Sequence, residues 1–192
     1  LLFGEHFKVL EKRKKWSKIR LQFDSYEGYI DNKQYEEITK ETYQEISNHQ
    51  NHVSGDLVNF ITDKNNNLLT IPIGSSLPFF DDEKTQVNNS SFSYTGSVFS
   101  KKLTKNDILQ KAFLLLNTPY LWGGRTPFGI DCSGFTQLVY KLCGYHLLRD
   151  AKQQATQGDA LSFIEESEPG DLAFFDNAEG DIIHVGIIMK DY

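Results

Sequence analysis

The sequence predicts an α+β fold in which small all-β modules precede a mixed domain. Three observations predict it. Short β-like runs separated by turn clusters fill residues 1–100. Two apolar segments of helical period follow, over 104–116 and 132–142. Two strand-like runs come after the turn Pro169-Gly170-Asp171. Two helices followed by antiparallel strands give an α+β domain, and short strands at close spacing suggest a small barrel or sandwich.

Residues 7–10 form the first β-like run. In 16–23, Ile19, Leu21 and Phe23 alternate with Lys18, Arg20 and Gln22, the period of a half-buried strand. Lys12-Arg13-Lys14-Lys15 joins the two as a solvated hairpin tip. Asp24-Ser25 then turns the chain into a strand at 26–30. Residues 31–52 are polar and read as a linker with one helical turn at 35–38. Beyond it, 57–62, 68–73 and 77–80 are candidate strands, and 87–95 is a loop or weak edge hairpin. Asp63-Lys64-Asn65-Asn66-Asn67 is turn chemistry. It imitates the start of a calcium loop, but Leu68 stands where that loop needs glycine and Gly74 where it needs glutamate.

Thr104 can cap a helix carrying Ile108, Leu109, Ala112, Phe113, Leu115 and Leu116. Asn117-Thr118-Pro119 ends it. A glycine-rich loop, Trp122-Gly123-Gly124 to Phe128-Gly129, leads into a buried helix at 132–142 that stops at Gly144. Strands at 172–175 and 182–189 flank a hairpin turn at 177–181. The domain limits expected from these shifts are 1–44, 45–100 and 101–192.

The 192 residues are 39% hydrophobic, 13% aromatic and 24% charged, enough apolar matter for packed cores. The net charge of −6 is spread over both halves, which argues against nucleic acid and anionic membrane surfaces as partners. The longest apolar run, 112–116, falls far short of the ~20 residues of a membrane-spanning helix. Two cysteines make no disulfide scaffold and have no zinc spacing.

Cys132 is the chemically informative residue. A thiolate at a helix start meets free peptide N–H groups and the positive end of the dipole. The same N–H groups can stabilise an oxyanion. Small neighbours, Ser133 and Gly134, leave room for a substrate backbone. A thiol nucleophile needs a base. Of five histidines, His184 alone sits inside an apolar strand, between Ile183 and Val185, where an imidazole is rigidly held. The bland alternative is a buried core cysteine and a hydrogen-bonded core histidine. Cys143, in an apolar setting, reads as structural, and His146 lies close after the helix. His49 and His52 share one face if helical, but their segment is polar and no metal is expected there.

At this point a resemblance is visible. Thr118-Pro119-Tyr120-Leu121-Trp122-Gly123-Gly124 and Pro127-Phe128-Gly129-Ile130-Asp131-Cys132-Ser133-Gly134-Phe135 closely resemble the nucleophile region of the NlpC-type cell-wall cysteine peptidases, of the papain-like superfamily. Arg149-Asp150-Ala151-Lys152-Gln153-Gln154 is similar to that family's Arg-Asp-X-X-Gln segment. Pro169-Gly170-Asp171-Leu172-Ala173-Phe174-Phe175 is similar to its first core strand, and Ile183-His184-Val185-Gly186-Ile187 to its histidine strand. The first half resembles bacterial SH3-like modules, one over 1–44 and a more divergent one over 45–100. A first strand is expected before Leu1.

The resemblance implies a γ-D-glutamyl-L-diamino acid endopeptidase. Its substrates are peptidoglycan stem peptides, L-Ala-γ-D-Glu followed by diaminopimelate or lysine, and it uses no cofactor and no metal. Cys132 attacks, His184 takes the proton, and a thioacyl intermediate is hydrolysed. Tyr120 borders the oxyanion or substrate; Asp131 and Ser133 bind a free amino end; Trp122 walls the pocket or packs the glycine loop. Glu5 and Tyr26 supply contacts from the first module. Ala151 stands where some relatives have serine. A third polar residue that orients the histidine is expected beyond Tyr192, on a strand outside this sequence. The implied location is the bacterial envelope or outside the cell, or the cytoplasm for a recycling enzyme. Two alternatives stay open: a lipid or amide acyl hydrolase of the same superfamily, and a non-catalytic wall-binding protein.

Overall fold

A computed structural model describes residues 1–190. The chain divides into two compact units, Leu1–Ser100 and Lys101–Tyr192.

The first unit opens with an antiparallel meander, β1 (Phe7–Lys12), β2 (Trp16–Leu21) and β3 (Glu27–Asp31). The alternation read in β2 decides its facing. Ile19 and Leu21 are buried with Ile30 of β3, while Arg20 stays outside on Glu27. The basic residues 13–15 make the β1–β2 tip, as the charge run implied. At the next turn Asp24 accepts the Tyr26 N–H at 3.0 Å.

A helix, α1 (Lys40–Asn48), occupies the segment read as a linker. Thr39 caps it by accepting the Thr42 N–H. None of its residues is fully buried. Apolar periodicity therefore gave no signal, and the cap was the only local cue. The limit expected at 44/45 falls inside this helix.

Next come β4 (Val53–Ser54), β5 (Val58–Asp63), β6 (Leu68–Pro72), β7 (Lys84–Val87), β8 (Ser90–Ser93) and β9 (Val98–Phe99). β4 pairs with β9, and the others form a sheet in the order β6-β5-β8-β7. Ile61, Ile71, Leu77 and Tyr94 make the core, with Phe3, Phe80, Phe92 and Val98 packed against it. Residues 77–80 are not a strand. Leu77 is an irregular core anchor, and Phe79 has φ +52. The loop or weak edge hairpin expected at 87–95 is the turn and second strand of the β7–β8 hairpin, which begins at Lys84; β8 lies inside the sheet between β5 and β7, and β7 is the edge. Asp63 spends its carboxylate on the Asn65 and Asn67 N–H groups, closing the β5–β6 turn.

The second unit contains α2 (Lys105–Phe113), β10 (Arg125–Thr126), β11 (Gly129–Ile130), α3 (Cys132–Leu142), α4 (Ala151–Gln154), β12 (Leu172–Asp176) and β13 (Ile182–Ile187). The Thr104–Asp107 capping box starts α2. The helix ends earlier than its apolar stripe suggested. Ile108 and Leu115 are buried, but Phe113 and Leu116 are exposed. Helix α3 has the limits read from the sequence. It ends in a Schellman arrangement: the Tyr145 N–H bonds the Tyr140 carbonyl at 2.9 Å and Gly144 bonds Lys141 at 3.1 Å, with Gly144 at φ +77. α3 packs on α2, α4 and β13, and Leu138, Val139, Leu142 and Val185 are fully buried.

Candidate active site

The site is built around the first turn of α3. Asp131 is its N-cap, in extended conformation, and Cys132 is its first residue. The Asp131 carboxylate accepts the Gly134 N–H at 2.7 Å, and its carbonyl accepts the Phe135 N–H at 2.8 Å. The Cys132 and Ser133 N–H groups precede any intrahelical acceptor. They are donors available to charge that develops beside the half-buried sulfur.

The glycine loop is clamped to this turn. The Asp131 N–H bonds the Gly124 carbonyl at 3.3 Å, the Gly123 N–H bonds Asp131 Oδ2 at 2.7 Å, and the Gly124 N–H bonds the Leu121 carbonyl at 2.8 Å. A Cβ on Gly134 would lie 2.2 Å from the Gly124 oxygen. The space expected at Gly134 for a substrate backbone is thus filled by the protein's own loop, a correction to the sequence reading.

A buried ionic bracket holds both neighbours of Cys132. Arg149 Nη1 and Nη2 donate to Asp131 Oδ1 and Oδ2 at 3.1 and 2.9 Å, and Nη1 also donates to Ser133 Oγ at 2.9 Å. Arg149 and Asp131 are only 6% and 7% exposed. Fully buried Gln154 donates to the Ser133 carbonyl at 2.9 Å and accepts from Thr136 at 2.7 Å. Burial opposes the Asp131 charge. The Arg149 bonds and charge, with the Gly134 and Gly123 N–H groups, outweigh it and hold the carboxyl below its ordinary value. Five internal donors, the Ser133 hydroxyl at 3.5 Å the most distant, fill the roughly four acceptor sites of a carboxylate. Any ammonium contact at Asp131 or Ser133 has to coexist with this bracket.

The sequence marks Arg149 and Gln154 within one segment but assigns neither a role. One signal was present: Arg149 follows Leu147-Leu148, and a charge in a buried run demands a buried partner.

His184 lies on β13 opposite Phe175 of β12, their rings 5.6 Å apart. Val185 anchors the strand in the core, whereas His184 itself is exposed. Strand alternation sends Val185 inward and the imidazole outward, so the alternative of a core histidine does not describe His184. α3, which begins at Cys132, and α4 both pack on β13. The third polar residue expected beyond Tyr192 lies outside the described residues.

Tyr120 bridges to Ile130, two residues before Cys132, and is 70% exposed. Trp122 is 86% exposed, so it does not pack the glycine loop. Glu5 and Tyr26 belong to the first unit. Glu5 accepts the Leu2 N–H at 2.9 Å, and Tyr26 is exposed after the Asp24 turn. Cys143 is fully buried, which pushes its thiol up to about 11. The His146 carbonyl accepts from Gln157. His49 and His52 both face the Gln50 carbonyl with Nδ1. Among the described residues no group of three His, Cys, Asp or Glu side chains is placed to hold a metal, and no helix is long and apolar enough to cross a membrane.

Residues 117–192 match the NlpC/P60 family, and residues 1–34 match the bacterial dipeptidyl-peptidase SH3 domain. The chain carries an NlpC/P60 domain. It is 42% identical over 94 residues, 48% of this chain, to a γ-D-glutamyl-L-lysine dipeptidyl-peptidase of Bacillus subtilis strain 168. A Bacillus cereus protein of the same name is 38% identical over 88 residues, 45% of this chain. The matched stretches span 31% and 26% of those relatives' own lengths. A crystal structure of an NlpC/P60 family protein from Bacillus cereus ATCC 10987 superposes with a TM-score of 0.84 at 23% identity, covering 100% of this chain and 70% of that one. The NlpC/P60 domain and the N-terminal unit, with its small antiparallel sheets and one helix, thus share that structure's mixed α/β fold.

Proposed function

We propose that the NlpC/P60 domain is a thiol endopeptidase that hydrolyses the γ-D-Glu–diamino acid bond of peptidoglycan stem peptides. One observation carries the reading: Cys132 opens a helix packed on the strand of His184, inside a domain whose curated relatives are named γ-D-glutamyl-L-lysine dipeptidyl-peptidases. Cys132 Sγ attacks the γ-carbonyl and His184 takes the thiol proton. The oxyanion meets the first N–H groups of α3. The diamino acid leaves as its amine, with the proton returned by His184. Water then cleaves the thioester. Tyr120, with Asp131 and Ser133, borders the amino end of a substrate beginning with free L-Ala. Trp122 walls the cleft. Such peptides place the enzyme in the bacterial envelope, or in the cytoplasm if it recycles wall fragments.

The test is a mass-spectrometric digest of L-Ala-γ-D-Glu-diaminopimelate, its lysine counterpart and an N-blocked analogue, with Cys132→Ala as the blank. Release of L-Ala-γ-D-Glu from the free peptides alone supports both the bond and the free-amine requirement. A folded, thiol-reactive protein that cleaves none of the three removes the reading.

A further inference from the structure

We infer that Arg149 is a positioning residue for the Cys132 nucleophile, acting through the two residues that flank it. The inference rests on the reading of Cys132 as an acyl-accepting thiol. Its own basis is geometric. One guanidinium reaches Asp131 through both carboxylate oxygens and Ser133 through its hydroxyl, so the residues before and after the sulfur are tied to one rigid fork. Asp131 passes the constraint on. It caps Gly134 at the helix start and fixes Gly123 of the glycine loop. Gln154, five residues after Arg149, grips the same turn from its carbonyl side through Ser133. The segment 149–154 thereby sets the direction of the Cys132 and Ser133 N–H groups. Those groups face the thiolate in any reaction of the sulfur, but they carry a second and larger task only when a carbonyl oxygen becomes an oxyanion.

This is more than a stability role. A buried ion pair can be replaced by apolar residues without loss of fold, so stability alone does not call for it. Nor does lysine substitute, because a point-like ammonium cannot fork onto a carboxylate and reach a hydroxyl in one fixed plane.

Two reactions of the same sulfur separate positioning from mere integrity. With p-nitrophenyl acetate the thiolate attacks the carbonyl, p-nitrophenolate leaves and a thioester forms through an oxyanion. With iodoacetamide a carbon–sulfur bond forms, iodide leaves, and no oxyanion arises. Both rates are measured on the full chain, with Cys132→Ala as blank and circular dichroism as the check on fold. Arg149→Lys is expected to lose acylation by about ten- to a hundredfold, the scale of small misplacements, while alkylation stays near parental. Guanidinium ion added to Arg149→Ala is expected to restore part of the acylation rate. Equal falls in both reactions, or no fall in either, overturn the inference. If neither Arg149 variant folds, Ser133→Ala decides, since it removes one arm of the fork and no charge. A selective loss of acylation supports the inference, and parity overturns it. A parental protein acylated no faster than Cys132→Ala also overturns it. A protein that is acylated by the ester yet inert to stem peptides leaves the inference standing and removes only the proposed substrate.

Discussion

Arg149 and Asp131 form a two-pronged ion pair, at 2.9 and 3.1 Å, almost wholly removed from water and directly before Cys132. Breaking such a pair from one side strands a buried charge. Arg149→Met is therefore expected to cost about 3–5 kcal/mol, whereas replacing both members with apolar residues of similar volume should be far milder. Urea titration of the single and double variants measures the difference. A single variant as stable as the parent would show that the carboxylate is not held as described.

The same pair sets a pH dependence. Asp131 titrates below its ordinary value in the folded chain, because the Arg149 and peptide N–H bonds outweigh the opposing effect of burial. A carboxyl depressed in the native state stabilises at pH values above its unfolded pKa, about 3.9, and loses that contribution as pH falls through the folded value. The urea midpoint of the parent should exceed that of Asp131→Asn from neutrality down to about pH 4, with the gap closing below. A gap that closes well above pH 4 contradicts the assigned direction.

Three glycines near the nucleophile should respond differently to alanine. A Cβ on Gly134 would meet the Gly124 carbonyl at 2.2 Å, a backbone atom that cannot yield cheaply. The loop and helix must part, at a cost of at least about 1–3 kcal/mol. At Gly123 the space is open but φ is +80, so strain of about 1–2 kcal/mol remains. Gly186, beside His184, has open space and no such φ, and alanine there should be neutral or gain up to about 1 kcal/mol. Thermal unfolding of the three variants gives the ranking, and Gly134→Ala ranking as the mildest would refute the close approach.

What was legible before the structure followed from periodicity. β2 buries alternate residues, and α3, between Asp131 and Gly144, is buried nearly all round, so both were read with good limits. α1 was missed because none of its residues is fully buried, and residues 77–80 were misread because Leu77 is a core anchor without a ladder. The site divides the same way. Cys132 and His184 stand out by local context. The Arg149–Ser133 and Gln154–Ser133 bonds join residues 16 and 21 positions apart, and no local pattern carries them.

The two thiols should separate cleanly under native alkylation. Cys143 is sealed by the Leu142 and Val139 core, and burial pushes its thiol up to about 11. Cys132 is partly open at its helix start. Iodoacetamide at neutral pH should label Cys132 alone, and Cys143 should react only on unfolding. Peptide mapping reads this directly, and native labelling of Cys143 would contradict its burial.

His184 offers the sharpest activity prediction. Its imidazole stands on the outward side of β13 against Phe175, held by the strand that Val185 anchors in the core. Because the side chain is exposed, removing it should scarcely disturb folding, within about 0.5 kcal/mol. Loss of a general base costs about 10²–10⁴-fold in rate. His184→Asn is thus expected to unfold like the parent yet lose turnover of stem peptide by that factor, with substrate still bound. Paired measurement of kcat and KM distinguishes the cases: a raised KM with unchanged kcat would make His184 a binding residue, and the proton would have to go elsewhere.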